Sequence, residues 1–334
     1  MRLALAMVTD QRGYRLARYA MASALLTQTD SYTPTLLLHG WDGPASDDGL
    51  LKLARRVGKP LELMRLDETA FDTHGLWTAA HISKTTYMKL AAFERLSQTY
   101  DRALYVDTDV LFYDPVSLGT IDFRGNPLAA VYDLADCNAI DQKHAPRHRP
   151  DRTHGGYFNA GLMAFDFQNH DIRSMRELYH LNCEKHQTYC PIYLDCACSD
   201  QCPFNLTFAG KWTPLPLTWN MQTFVLQTPA WRTAAVRHYT GAKKFLPIQA
   251  LRADKRERSF IKQIAVALGD DQPREWPGMG LLYWANGIRR SRARTLAAAA
   301  VTVIEEKMQD GRTRHLAAQA RYGATCDGDT LACR

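Results

Sequence analysis

The sequence predicts an α/β protein built on a doubly wound, mostly parallel sheet flanked by helices, with a basic helical C-terminal tail. Three observations predict it. Short apolar runs alternate with segments of helical spacing through the first half, the rhythm of strands joined by crossover helices. Carboxylates stand at or just beyond the ends of three of those runs, at Asp10, Asp107 and Asp133, where open parallel sheets gather their ligands. Past about Phe245 the composition shifts to arginine mixed with tryptophan and tyrosine.

The elements follow in order. Residues 3–8 form an apolar run, and residues 14–26 carry small and apolar side chains at helical spacing. Residues 36–39 read as a second buried strand, followed by an amphipathic stretch over 49–57 and a third strand over 61–66. Ser83 opens a predicted helix over 83–96, since its hydroxyl can cap the first turn. The run 102–107, Arg-Ala-Leu-Tyr-Val-Asp, is a strand that ends in a carboxylate, and 128–132 is another, leading to Asp133. Residues 136–156 are polar and read as a loop, and 157–167 turn apolar again.

Composition bounds the function. The chain has 334 residues, 46% of them hydrophobic, enough to bury a large core rather than remain disordered. A net charge of +6 suits anionic partners such as nucleotide diphosphates, phosphorylated glycans and acidic lipids. No nucleic-acid-binding module accompanies it. The N-terminal apolar run is as long as a strand and lacks a cleavage pattern, and no stretch has the roughly 18 apolar residues of a spanning helix. The expected location is cytoplasmic, extending to the inner face of the membrane. In that compartment stable disulfides are disfavoured. Cys183, Cys190, Cys196, Cys198 and Cys202 crowd together, apart from Cys137, Cys326 and Cys333. Their uneven spacing matches no zinc ribbon or finger, so they read as reduced, partly buried thiols of an inserted loop, with a structural zinc as the alternative.

Three motifs carry chemistry. In Tyr105-Val106-Asp107-Thr108-Asp109-Val110-Leu111, two carboxylates emerge from a buried strand, where a positive partner must meet them. Alone, such a pair reads as a cap or a turn. A strand before it and an apolar continuation after it favour a divalent cation. The second motif is Val236-Arg237-His238-Tyr239-Thr240-Gly241-Ala242-Lys243-Lys244, an imidazole followed by glycine and lysine suited to a metal and to phosphate. In isolation it reads better as a solvated basic turn, with His238 simply packed. The third, Tyr157-Phe158-Asn159-Ala160-Gly161, combines a hydrogen-bonding amide with small residues that let a sugar approach, or is a core strand bulged at Gly161.

In this order and at these intervals the three motifs resemble glycosyltransferase family 8, the retaining, UDP-sugar-dependent group that includes bacterial lipopolysaccharide galactosyl- and glucosyltransferases. The stretch from His81 to Leu90 is similar to the lipo-oligosaccharide galactosyltransferase branch, and Asp200-Gln201 with Asn205 is similar to the family's Asp-Gln motif. The resemblance runs from Leu3 to about Phe245 and implies a GT-A type fold, with a catalytic domain over 1–245 and a basic, aromatic helical extension over 246–334.

By that resemblance Asp107, Asp109 and His238 bind Mn2+, with Mg2+ as the alternative, and the donor diphosphate completes the shell. Carboxylate plus imidazole suits manganese better than magnesium, which prefers oxygen alone. Gly241 and Lys244 are implied to hold the phosphates. Val8, Thr9, Asp10 and Tyr14 are similar to the uridine-binding first loop, with extra residues between Asp10 and Tyr14. His81, Lys89 and Thr108 are implied donor contacts, and Asn159 and Ala160 lie around the donor sugar. The implied catalytic residues are Gln201, Asp200 and Asp133. Gln201 stands near the anomeric carbon as a charge-stabilising amide, consistent with front-face attack in the absence of an obvious nucleophilic carboxylate.

The chain departs from the family pattern at Cys202, where a second Asp is common. It departs again at Phe245-Leu246-Pro247, which replaces a Pro-Trp pair.

The implied activity is transfer of galactose or glucose from UDP-galactose or UDP-glucose to a saccharide or glycolipid acceptor, in lipopolysaccharide or surface-polysaccharide synthesis. Two other readings compete: a sugar nucleotidyltransferase, which would want a Gly-rich N-terminal loop, and a non-catalytic glycan-binding or scaffold protein. In the tail, Arg289, Arg290, Arg292 and Arg294 accompany Trp276, Tyr283 and Trp284. They point to peripheral contact with an anionic membrane, against the alternative of helices packed on the core.

Overall fold

A computed structural model describes residues 1–67, 69, 73, 75–76, 78, 83–134, 156–168, 170–192, 196, 198–226, 228–241, 244–249, 253–273 and 275–276. His81 and the tail beyond Trp276, with its proposed membrane contact, lie outside the described residues.

The elements run β1 (Leu3–Thr9), α1 (Tyr14–Thr27), β2 (Thr33–Leu38), α2 (Gly49–Arg56), β3 (Glu62–Arg65), α3 (Lys89–Ser97), β4 (Arg102–Val106) and β5 (Val110–Phe112). There follow β6 (Leu128–Tyr132), β7 (Phe158–Asp166), α4 (Ile172–Thr188), α5 (Gln201–Thr207), β8 (Trp212–Pro214) and β9 (Met221–Gln222). The last are α6 (Pro229–Thr233), β10 (Val236–His238), β11 (Ile248–Gln249), α7 (Lys255–Leu268) and β12 (Glu275–Trp276). Seven strands make the main sheet in the order β3-β2-β1-β4-β7-β6-β8. It is the expected α/β sheet, parallel at β3, β2, β1 and β4 and again between β6 and β8. β7 runs antiparallel to both β4 and β6.

Side chains alternate across this sheet, and its central strands β1, β4, β6 and β7 are covered on both faces, which is why they are mostly apolar, whereas the edge strand β3 is largely exposed. Along β1, Leu3, Leu5 and Met7 face one core, shared with α1, α2 and α7. Ala4, Ala6 and Val8 face the other, built with α3, α4 and α5 around Phe93, Phe165 and Phe204. The Phe93 and Phe165 rings stack with centroids 3.7 Å apart. The small buried residues Ala17, Ala20 and Ala24 keep α1 close to the sheet. Ser83 accepts from the backbone N–H of Thr85, starting a short 3-10 turn (Lys84–Met88) that leads straight into α3.

A second, three-stranded sheet, β5-β10-β9, follows the Asp-x-Asp turn. β10 pairs antiparallel with β5, placing His238 opposite Val110. Alternation along β10 then splits two functions. Arg237, fully buried, faces α7, pairing with Asp254 at 2.9 Å and Glu257 at 3.4 Å over the Tyr113 ring. His238 faces the strand ends of the main sheet. Residues past Phe245 therefore help set the strand that carries the imidazole: Ile261, Ile264, Ala265 and Leu268 of α7 belong to the core shared with α1 and α2. Arg256, one of the arginines opening the extension, pairs with Asp114.

Candidate active site

The site forms where β1, β4 and β7 meet β10. Asp107 follows the last residue of β4; its N–H donates to the Gly161 carbonyl of β7 at 2.8 Å, and its carbonyl accepts from Val110 at 3.2 Å. The Asp109 carbonyl accepts from Tyr239 at 2.9 Å. One tight turn is thus anchored to both sheets, with a carboxylate held by each anchor and Thr108 between them. Pairing of β5 with β10 supplies the imidazole. His238 Nε2 lies 3.2 Å from Asp109 Oδ1, and ligand atoms of Asp107, Asp109 and His238 all lie within 4.8 Å of one another.

Two carboxylates and an imidazole at such separations fit a divalent cation of mixed oxygen and nitrogen preference, such as Mn2+. The imidazole is oriented for that role. His238 Nδ1 is 3.0 Å from Asn220 Oδ1, an arrangement that leaves Nε2 facing the carboxylates when Nδ1 carries the proton. Gly161 provides the space, since a β-carbon there would sit 2.1 Å from His238 Cε1. Lys244 also reaches Asp109, through Oδ2. Burial pushes the Asp109 carboxyl up, but His238 and Lys244 outweigh it and hold the group well below the usual carboxylate range. Gly241, at φ +82°, occupies the left-handed region in the turn between His238 and Lys244 and has open space around it.

A polar chain continues from the imidazole toward α5. Asn220 donates from Nδ2 to Asn159 Oδ1 at 2.9 Å, and Asn159 donates from its own Nδ2 to Asp133 Oδ2 and to Gln201 Oε1, both at 3.0 Å. Gln201 is tied at both ends: Nε2 donates to Asp133 at 3.0 Å, and Oε1 accepts from the Ala160 N–H at 3.1 Å. Asp200, Asp133, Asn159, Ala160 and Gln201 are thereby gathered beside Asp107, Asp109 and His238.

Lys89, an implied donor contact, is 2% exposed. Its ammonium meets Asp107 Oδ1 at 2.9 Å, Asp200 Oδ2 at 2.8 Å and the Ala160 carbonyl at 3.1 Å. Burial works against its charge, yet the two aspartates more than compensate, and the net shift is upward. The ammonium donates to Asp107 and the Ala160 carbonyl and forms an ion pair with Asp200.

The first-loop residues lie at the end of the neighbouring strand. Val8 and Thr9 close β1, and Asp10 accepts from Gly13 N–H at 2.7 Å, Ser83 Oγ at 2.6 Å and Thr85 Oγ1 at 3.1 Å. Burial opposes its charge, but these bonds and His39 hold its carboxyl below the ordinary value. The Tyr14 ring lies 4.9 Å from that of Trp41, whose indole N–H donates to the Thr9 carbonyl at 3.2 Å.

Asn220 and Trp41 are absent from the sequence-based set. Asn220 is fully buried, but nothing in Leu217-Thr218-Trp219-Asn220 announces an imidazole partner.

The model of glycosyl transferase family 8 matches residues 6–245. General stress protein A of Bacillus subtilis (strain 168) is 23% identical over 244 residues, 67% of this chain and 80% of that protein. Among solved structures, the galactosyltransferase LgtC with donor and acceptor sugar analogues superposes at a TM-score of 0.58, with 23% identity over 81% of this chain and 97% of that one. The glycosyltransferase GlyE of Streptococcus pneumoniae TIGR4 gives 0.55, with 18% identity over 80% of this chain and 63% of that one. At these identities the likeness is one of fold.

Proposed function

The chain belongs to glycosyl transferase family 8, and from that premise we propose that it is a retaining hexosyltransferase using UDP-galactose or UDP-glucose. The acceptor is a saccharide or glycolipid of a lipopolysaccharide or surface polysaccharide. The enzyme works in the cytoplasm, with the basic tail resting on the inner face of the membrane. The observation that carries this reading is the convergence of Asp107, Asp109 and His238 within 4.8 Å beside a hydrogen-bonded Asn159–Gln201 pair. Among the described residues no helix is long and apolar enough to cross a membrane.

Asp107, Asp109 and His238 would hold Mn2+, which when bound would supply Lewis-acid stabilisation of the departing UDP diphosphate. Lys244 brings a point charge to the same phosphates, and Gly241 permits close backbone approach. Asp10, Thr9, Val8 and Tyr14 face the nucleoside. Asp133 and Asn159 hold the Gln201 amide in one orientation beside the donor sugar. Asp200 is bound to Lys89 and Asp133 to two amides, so neither carboxylate is a free nucleophile, which favours front-face attack over a covalent intermediate.

A panel of nucleotide sugars tests this. UDP release is expected from UDP-galactose or UDP-glucose with Mn2+, lost on chelation, with the product anomer retained by proton NMR. Release of pyrophosphate instead of UDP, or no turnover of any donor with Mn2+, refutes it.

Gly161→Ala follows from the same geometry. The added methyl must displace the His238 ring, and loss of that orientation is expected to weaken Mn2+ binding about 10–100-fold. Overpacking costs only about 1–3 kcal/mol of stability. Unchanged Mn2+ affinity in a folded variant contradicts the role given to His238.

A further inference from the structure

Next to Gln201 along the chain, four donors converge that the transfer chemistry does not use. His186 lies in the last turn of α4, Cys190 and Cys196 in the segment after it, and Cys202 in the first turn of α5. One ligand atom from each lies within 4.8 Å of all the others. Around them Tyr157, Cys190, Ile192 and Cys202 form a small buried cluster of their own, separate from the two main cores.

The spacing tells a bridge from a cation. Cys196 Sγ is 3.5 Å from Cys202 Sγ, and His186 Nε2 is 3.1 Å from Cys196 Sγ. Sulfurs in a disulfide lie about 2.05 Å apart. Sulfurs on a tetrahedral zinc, with Zn–S of about 2.3 Å, lie about 3.8 Å apart. The observed separation is near the second value. The surroundings also suit thiolates: the Tyr157 hydroxyl stands 3.1 Å from Cys202 Sγ, and the Cys198 backbone N–H donates to Cys196 Sγ at 3.4 Å. Such outer hydrogen bonds to ligating sulfurs are what a metal site requires.

We propose that His186, Cys190, Cys196 and Cys202 form a structural zinc site, closed by four protein ligands, that pins the segment between α4 and α5. Zinc displaces three thiol protons and leaves no open position, so the site is not a second catalytic centre. Its effect reaches the transfer site through the chain itself: Cys202 follows Gln201, and zinc holds the start of the helix that presents Asp200 and Gln201. The site stands apart from the hexosyltransferase reading and survives if that reading fails.

The test is metal analysis of the full-length protein purified in reductant without added metal. About one zinc per chain is expected by mass spectrometry of the digested protein, and cobalt exchange should give the absorption of a tetrahedral cobalt–thiolate centre. Cys196→Ser and Cys202→Ser should each lose the metal. Cys183→Ala, in the neighbouring core, and Asp109→Asn, at the other metal site, should keep it. The proposal is overturned if wild-type protein holds no zinc after incubation with one equivalent in reductant. Tightly bound iron in place of zinc overturns it too, as does an intact mass reduced by a disulfide among these cysteines. These readings on the wild type do not depend on whether the variants fold.

Discussion

Asp109→Asn is expected to lower the turnover of hexose transfer by about 10³-fold while leaving the fold intact, because a metal-held leaving group is worth several kcal/mol of transition-state stabilisation. The substitution keeps the size and planarity of the side chain and its backbone bond to Tyr239, and removes only charge. His238 and Lys244 both rest on this carboxylate, and with the amide in its place the imidazole faces a neutral group. Lys244 is partly solvated, so its loss of a partner destabilises the protein little. UDP release with saturating donor is the measurement. Wild-type turnover in the variant contradicts the assignment.

Lys89→Met is expected to destabilise the protein by about 3–5 kcal/mol, since removing one member of a buried ion cluster strands the others without compensation. Met matches the aliphatic stem, so packing alone predicts a nearly neutral change. What disappears is the one ammonium between Asp107 and Asp200, whose carboxylates then confront each other in a site that also contains Asp109. A melting temperature lower by roughly 10 °C is expected, at about 2–4 °C per kcal/mol. Mn2+ with UDP should recover part of the loss, because a cation at Asp107 replaces the missing charge. A variant as stable as wild type, or one indifferent to Mn2+, refutes the electrostatic role of Lys89.

What could be read from the sequence divides along a physical line. Asp107 and Asp109 were legible because carboxylates at the end of a buried strand demand a positive partner, whatever the rest of the fold. The β-α rhythm was legible because the central strands of the sheet are buried on both faces and mostly apolar. His238 was legible only through the family resemblance, since its motif alone reads better as a basic turn. Its place beside Asp109 depends on the pairing of β10 with β5, a contact between distant segments. Lys89 was read as a donor contact, and helical spacing does not reveal that two aspartates close over it. Asn220 has no local signature at all. The cysteines were read among themselves, whereas their fourth partner, His186, belongs to the preceding helix. Past Phe245 the shift in composition was clear, but Arg237 is what shows why α7 packs where it does, since its buried guanidinium takes Asp254 and Glu257 from that helix.

The central claim is that Asp107, Asp109 and His238 together grip a divalent cation with the nucleotide, and Mn2+ electron paramagnetic resonance measures it most directly. In the presence of UDP, equimolar wild-type protein should suppress the six-line signal of free Mn2+, and Asp109→Asn should leave that signal largely intact. Equal suppression by both proteins would place the cation elsewhere and contradict the account.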